Sequence, residues 1–366
     1  MIDKIKNMDK KMKLYLIIGA SAIIFIILLL IILKIAVGST INSRVFESRL
    51  KNAAISYYEK YPNKLPKLNG EKVSVTIDEL VNAGNLKSLD KLLDKGLTCS
   101  GNVSVSNNNS NYLYQPIIEC SDKYKTNLLY NKIIEDNPVV TSSDGLYKVN
   151  DYYLFRGEKL NNYVKFADKN WRILRINNDN TIRLILLDNL DTVSWDDRYN
   201  SDKQENIGKN IYSISRIKET LDNYFNGDKS IFKKEDKALI VPSDLCIGAR
   251  NENATVMDGS IECANKLEKQ PLGLLQVNEY PIISLDSGCR LVSNNQCTNY
   301  NYLSTLNNFW TLTANTANSY TVYRVSRRVE VANAESYAVP RIVLNITSDA
   351  LYTKGNGTEN NPYIIK

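Results

Sequence analysis

The feature that most constrains this chain is a run of 20 residues, Leu14 to Leu33, that carries no charge. At about 1.5 Å of rise per residue, a helix of that length spans roughly 30 Å, the thickness of a bilayer's hydrocarbon core. Lys4, Lys6, Lys10, Lys11 and Lys13 precede it, against only Asp3 and Asp9. Lysines on that side predict a cytoplasmic N-terminus, with the rest of the chain outside. A cleaved signal peptide has a shorter apolar core, about 7–15 residues, followed by a small-residue cleavage site. Processing near Ala36-Val37-Gly38 is the alternative reading. Residues 1–13 therefore read as a cytoplasmic basic tail and 14–37 as a single transmembrane helix.

The chain has 366 residues, 43% apolar and 23% charged, which is enough for two folded units besides the anchor. The net charge of +6 owes a good share to the N-terminal lysines, so no field argues for nucleic acid. There is no histidine. That excludes Ser-His-Asp, Cys-His and histidine–zinc chemistries, which need imidazole as base or ligand.

Helical spacing continues beyond the membrane. Ile41, Val45, Phe46, Leu50, Ala53, Ala54, Tyr57, Tyr58 and Tyr61 recur at three- and four-residue steps, with Arg44, Glu47, Arg49, Lys51 and Glu59 between them. Pro62 and Pro66 end the pattern. Thr76-Ile-Asp-Glu79 is a capping box opening a short helix that Gly84 stops, and a second short helix is predicted from Ser88 to Lys95 before Gly96. The stretch Phe46 to Tyr58, then Leu65-Pro66, then Val75 to Gly84, resembles type IV pilin and pseudopilin subunits. The resemblance implies that residues 38–136 form one long helix packed on a small α+β domain. No Gly-Phe followed by Thr-Leu-x-Glu precedes the apolar run, so the expectation is a static anchor.

Six cysteines, an even number, lie beyond the apolar run and favour disulfides. Val103–Val105 and Tyr112–Tyr114 flank the turn-rich Asn107–Ser110. A hairpin centred there places Val105 opposite Tyr114 and Cys99 opposite Cys120, within disulfide reach. Cys289 and Cys297 bracket another short turn-containing loop, and Cys246 with Cys263 follows by elimination. A metal or redox site is the rival reading, but no Cys-x-x-Cys spacing occurs.

Turn-formers from Asn137 to Gly145 mark a linker, and residues 146–366 read as a second, larger mixed α+β unit. Strands are predicted at Tyr152–Phe155, Tyr163–Phe166, Trp171–Ile176, Thr181–Leu187, Leu239–Val241, Leu272–Val277, Phe309–Thr313, Tyr320–Val325 and Arg341–Ile346. A helix is predicted from Ser215 to Phe225, stopped by Gly227. In order, Tyr153–Gly157, Asn162–Phe166, Trp171–Ile176, Trp195, Leu221–Phe225, Leu274–Tyr280, Phe309–Thr313, Pro340–Leu344 and Gly355–Tyr363 resemble a family of uncharacterised surface modules of low-GC Gram-positive bacteria. Where that family has Val-Arg-Pro, this chain has Val339-Pro-Arg341. The late tryptophan strand and the final arginine-containing strand look like a C-type-lectin-like or formylglycine-generating-enzyme-like fold.

Several side chains are candidates for a site. Trp195-Asp196-Asp197 sets an aromatic beside two carboxylates, as a sugar ring or Ca²⁺ requires; the competing reading is a solvated loop around a tucked tryptophan. Arg324, Arg327 and Arg328 offer guanidiniums to an anionic glycan or phosphate, or simply decorate a strand end. Asp188, Asp191, Asp196, Asp197 and Glu279 are the acids from which a glycosidase pair would be drawn. Trp171 and Trp310 sit in apolar runs and read as core. The expectation is a membrane-anchored extracellular binding or adhesion protein presenting a lectin-like module to a protein or glycan. The alternatives are a minor pseudopilin of a filament or secretion apparatus, with its partner components, and a surface enzyme.

Overall fold

In the computed structural model, residues 9, 40–198, 208–306 and 308–365 are described. The apolar run Leu14–Leu33, and with it the expected membrane helix, lies outside them. Among the described residues no helix is long and apolar enough to cross a membrane. The described fold is mixed α+β, with two separate apolar clusters.

The first cluster is built on a helix, α1, Ser43–Lys60. Asn42 caps it, its side chain accepting from Val45 N–H, and the chain leaves at Tyr61 just before Pro62. Phe46, Leu50, Ala53, Ala54, Tyr57 and Tyr58 are its buried face. They pack on an antiparallel three-stranded sheet of β1 (Lys72–Thr76), β2 (Cys99–Asn108) and β3 (Asn111–Cys120). Alanines at 53 and 54 let the sheet approach closely, and the tyrosines fill the wider gap beyond. The Thr76–Glu79 capping box forms as read, and Gly84, at φ +76°, follows the short helix Ile77–Asn82. The predicted helix from Ser88 shrinks to Leu89–Leu92.

The hairpin register is the expected one: Val105 faces Tyr114 and Cys99 faces Cys120. Asn109 and Ser110 turn it with positive φ, which Asn tolerates better than most residues. The Cys99–Cys120 disulfide closes the open end of this hairpin.

The second cluster runs from Leu129 to Ile365. Its centre is an eight-stranded sheet. Strands β4 (Gly145–Val149), β5 (Tyr152–Arg156), β7 (Lys169–Ile176) and β8 (Ile182–Leu186) pair in sequence, followed by Val343–Ile346 and Ile240–Val241. Strand β6 (Tyr163–Phe166) pairs with β7, and Tyr363–Ile364 adds to it in parallel. A second sheet, Phe309–Ala314, Thr321–Ser326 and Arg328–Asn333, lies apart from the first. The helix Arg216–Asn226 has Ser215 as its cap and ends at Gly227, burying Ile217, Leu221, Tyr224 and Phe225.

One predicted strand is absent. Leu272–Val277 crosses between the two sheets rather than joining either. Gly273 bonds Val343 in the first sheet, Leu275 accepts from Leu312 in the second, and the chain then tightens into a 3₁₀ turn, Val277–Glu279. An apolar run buried on both sides satisfies its backbone wherever partners exist.

The two clusters are joined by polar contacts. The tip of the β2–β3 hairpin meets the end of the helix Lys234–Leu239, where Asn108 donates to Ala238 O (2.8 Å) and Asn109 to Ile240 O (2.9 Å). Helix C-terminal carbonyls lack intrahelical partners, so these amides fill a vacancy that any helix end leaves. Asp349, 4% exposed, accepts from Ser104 Oγ (2.9 Å) and pairs with Lys72 (2.7 Å). The connecting segment pairs with the larger unit as well, through Leu129 N–H to Ala350 O and Tyr352 N–H to Asn127 O. The helix Leu129–Asp136, read from the sequence as part of the first unit, packs Leu129 and Ile133 into the larger cluster.

Candidate functional site

Successive rows across a sheet alternate between its faces. In the large sheet one row reads Ile176, Ile182, Ile346 and Ile240, all buried apolar residues. The next row reads Leu154, Arg175, Arg183, Asn345 and Val241, and it lies on the opposite face. That second row is the floor of a cleft of about 1030 Å³.

Arg175 and Arg183 are direct cross-strand partners. Like charges so placed repel. The sheet accommodates them with a bulge between Ile173 and Arg175, which re-aims Arg175, and with a carboxylate brought from elsewhere. The carboxylate is Glu279, at the end of the 3₁₀ turn. Arg183 holds it with two bonds (Nε 2.7 Å, Nη2 2.9 Å) and Arg175 with one (Nη1 2.9 Å). Gln276 N–H adds a fourth donor at 2.9 Å. Burial acts to raise the Glu279 pKa, but Arg183, Arg175 and these hydrogen bonds outweigh it and hold the carboxyl below the ordinary range.

The walls of the cleft are pinned covalently. Cys246–Cys263 and Cys289–Cys297 are both formed, and Cys246, Cys263 and Cys289 line the cleft. With Cys99–Cys120, every cysteine is paired as expected. Next to Glu279, Asn278 is 5% exposed and its Oδ1 has no partner. Arg156, on the same face of the sheet as Arg175, donates to Ser284 O (2.7 Å) and stacks on Tyr147, while its buried Nε is unpartnered.

The side chains singled out in the sequence lie elsewhere. Trp195 is fully buried and donates to Thr311 O, so it is core. Asp196, also fully buried, is gripped by Arg198 through Nε (2.8 Å) and Nη2 (2.7 Å). Asp197 is exposed and lies 3.6 Å from Arg216. Among the described residues no group of three or more potential ligands converges as a metal would need. Arg324 pairs with Glu330 across two strands (2.7 Å), Arg327 makes the turn between them with φ +65°, and Arg328 donates to Asn295. They share no partner. Asp188 accepts from Asn170, and Asp191 is exposed. Trp171 and Trp310 are buried, as read.

The chain matches no family model, no curated protein and no solved structure. The cleft is therefore judged on its own chemistry. None of the acids offered from the sequence lines the cleft. Glu279 is tied to two of its arginines, Arg175 and Arg183, and is held ionised by them, so it has no proton to give as a general acid. Among the charged side chains stand six neutral amides, Asn150, Asn177, Asn178, Asn278, Asn345 and Gln276. Each can both donate and accept, which suits a ligand rich in hydroxyl or amide groups. Sequence reasoning missed this site although part of the signal was present. The Asn177–Asn180 turn brings Arg175 and Arg183 close on neighbouring strands, the Asn177–Thr181 bond sets them opposite, and two such arginines within apolar strands require a carboxylate.

Proposed function

We propose that this chain is a membrane-anchored extracellular binding protein, and that the cleft on the large sheet is its ligand site. Residues 14–37 anchor it, the unit built on α1 serves as a pilin-like stalk, and residues 146–366 form the recognition module, C-type-lectin-like in the sense the sequence implies. The observation that carries the reading is the cleft itself. It is large, lined by polar and apolar side chains alike, and floored by a rigid sheet, with walls held by two disulfides. Ligand sites built on preformed scaffolds lose little entropy on binding. An enzyme related to the formylglycine-generating family would need a reactive thiol, and all six cysteines are in disulfides.

The test is to extract the full-length chain from membranes in detergent and screen it on glycan and surface-protein arrays. Saturable binding that is lost on substituting Asn278 supports the reading. Absence of binding on every array sinks it. Co-purification with an assembly ATPase and a membrane platform, with no ligand found, transfers the protein to the filament or secretion alternative.

A further inference from the structure

Four cationic side chains line the cleft, Arg156, Arg175, Arg183 and Lys269, yet Glu279 is the only carboxylate ion-paired to any of them among the described residues. Arg183 takes both of its oxygens, leaving Arg175 a single bond to Oε1. The Nε of Arg175 is occupied by Asn177 (2.8 Å), while its Nη2 has no protein acceptor among the described residues. Arg156 has no carboxylate at all, and its position two residues along β5 from Leu154, the cross-strand neighbour of Arg175, puts it on the same face. The floor of the cleft thus carries more positive charge than it neutralises.

Five aspartates also line the cleft, and they lie nearer solvent. Asp151, Asp179, Asp244 and Asp258 are exposed and Asp286 is half-buried. Four of them are occupied by backbone N–H groups, from Thr181, Lys269, Ser260 and Gly288. Solvated charges are screened over about 8–10 Å at physiological salt, whereas buried ones are screened much less. An anion is therefore favoured at the floor, where the arginines are, and disfavoured at the mouth. Asn278 lines the same cleft; the residue is 5% exposed, and its amide oxygen, unpartnered among the described residues, needs a donor such as a hydroxyl.

We propose that the cleft takes an acidic saccharide, its carboxylate received by Arg175 with Arg156 beside it, and a ring hydroxyl donated to Asn278. This rests on the reading that the cleft is the ligand site, and adds to it the chemical class of the ligand. An acidic peptide is the less favoured occupant. It would pair its backbone with a free strand edge, and the floor is the face of a sheet, whose backbone bonds are already made between strands.

The experiment is titration calorimetry on the full-length chain in detergent. The probes are a galacturonate trisaccharide, 3′-sialyllactose, the carboxyl-reduced form of each, and an Asp/Glu hexapeptide. An acidic saccharide is expected to bind, and carboxyl reduction to weaken it by about tenfold or more, the value of a hydrogen bond to a charged group. Arg175→Gln is expected to weaken the acidic probe by the same factor and leave the reduced one unchanged. Asn278→Asp, which sets a second negative charge on the floor without removing a cation, is expected to act in the same direction and guards against misfolding of the first variant. Equal affinity for acidic and reduced saccharides overturns the inference and leaves the binding reading standing, as does preference for the hexapeptide. No binding of these probes, together with silent glycan and protein arrays, removes both.

Discussion

At the scale of single residues, the ion-pair network under the cleft is the most consequential feature. Taking charges out of water is costly, and breaking a buried pair by removing one partner typically costs about 3–5 kcal/mol. Glu279→Gln leaves Arg183, only 5% exposed, without its carboxylate. A loss of about that size in urea unfolding is expected. The same carboxyl confers acid sensitivity. Its folded pKa lies below its ordinary value of 4.5, so its stabilising contribution is complete above pH 4.5 and is lost as pH falls toward the folded value. The wild-type unfolding midpoint should therefore drop steeply below pH 4.5, and Glu279→Gln should flatten that part of the profile. An unchanged slope would remove Glu279 from the account. By contrast, Trp195 is tucked into the core, as the competing reading of the sequence had it, while Asp196, which that reading left in a solvated loop, is buried in an ion pair with Arg198.

At the scale of elements, the turns and caps were legible because their chemistry is local. Asn109-Ser110, the Thr76–Glu79 box and the Ser215-to-Gly227 helix depend on residues within a dozen positions of one another. Hairpin geometry alone placed Cys99 opposite Cys120. The bulge before Arg175 and the crossing of Leu272–Val277 were not legible, because each answers to partners distant in the chain, Glu279 in one case, Leu312 and Val343 in the other. The disulfides permit a discriminating prediction. Cys99→Ala/Cys120→Ala opens a loop of 21-residue separation and should cost about 3 kcal/mol by loop entropy, without disturbing the cleft. Cys289→Ala/Cys297→Ala opens a loop of separation 8 and should cost slightly less, about 2 kcal/mol, while releasing one wall of the cleft. Amide exchange should then accelerate over residues 286–299 in the second variant and not in the first. The reverse pattern would mean that this disulfide does not pin the wall.

At the scale of the whole molecule, the seam between the two apolar clusters decides how the larger unit is held. Asp349 is joined there to Ser104 and Lys72, beside asparagine amides on helix carbonyls and Leu113 packed against the larger cluster. Polar, fully satisfied contacts of this kind fix orientation more than they add stability. Asp349→Ala should uncouple the two units. Calorimetry is then expected to show two transitions in place of one, and limited proteolysis to cut between residues 121 and 128. A single transition with an intact connection would show that residues 127–129, bonded to 350–352, suffice to couple them.

In the sequence, turn-formers at Asn137–Gly145 mark a break; in the fold, the buried apolar residues form one cluster from Ile41 to Cys120 and another from Leu129 to Ile365. Composition alone removed histidine chemistry, and hairpin geometry, a short bracketed loop and elimination set the three pairings. The expectation of an anchor rests on the sequence alone, on 20 uncharged residues that lie outside the described ones. The cleft belongs to tertiary structure. Its floor is a row drawn from β5, β7, β8 and two strands far along the chain, and only long-range pairing turns five separated residues into one surface. Local periodicity records which side of a strand is apolar. It does not record which polar residue another strand will place beside it.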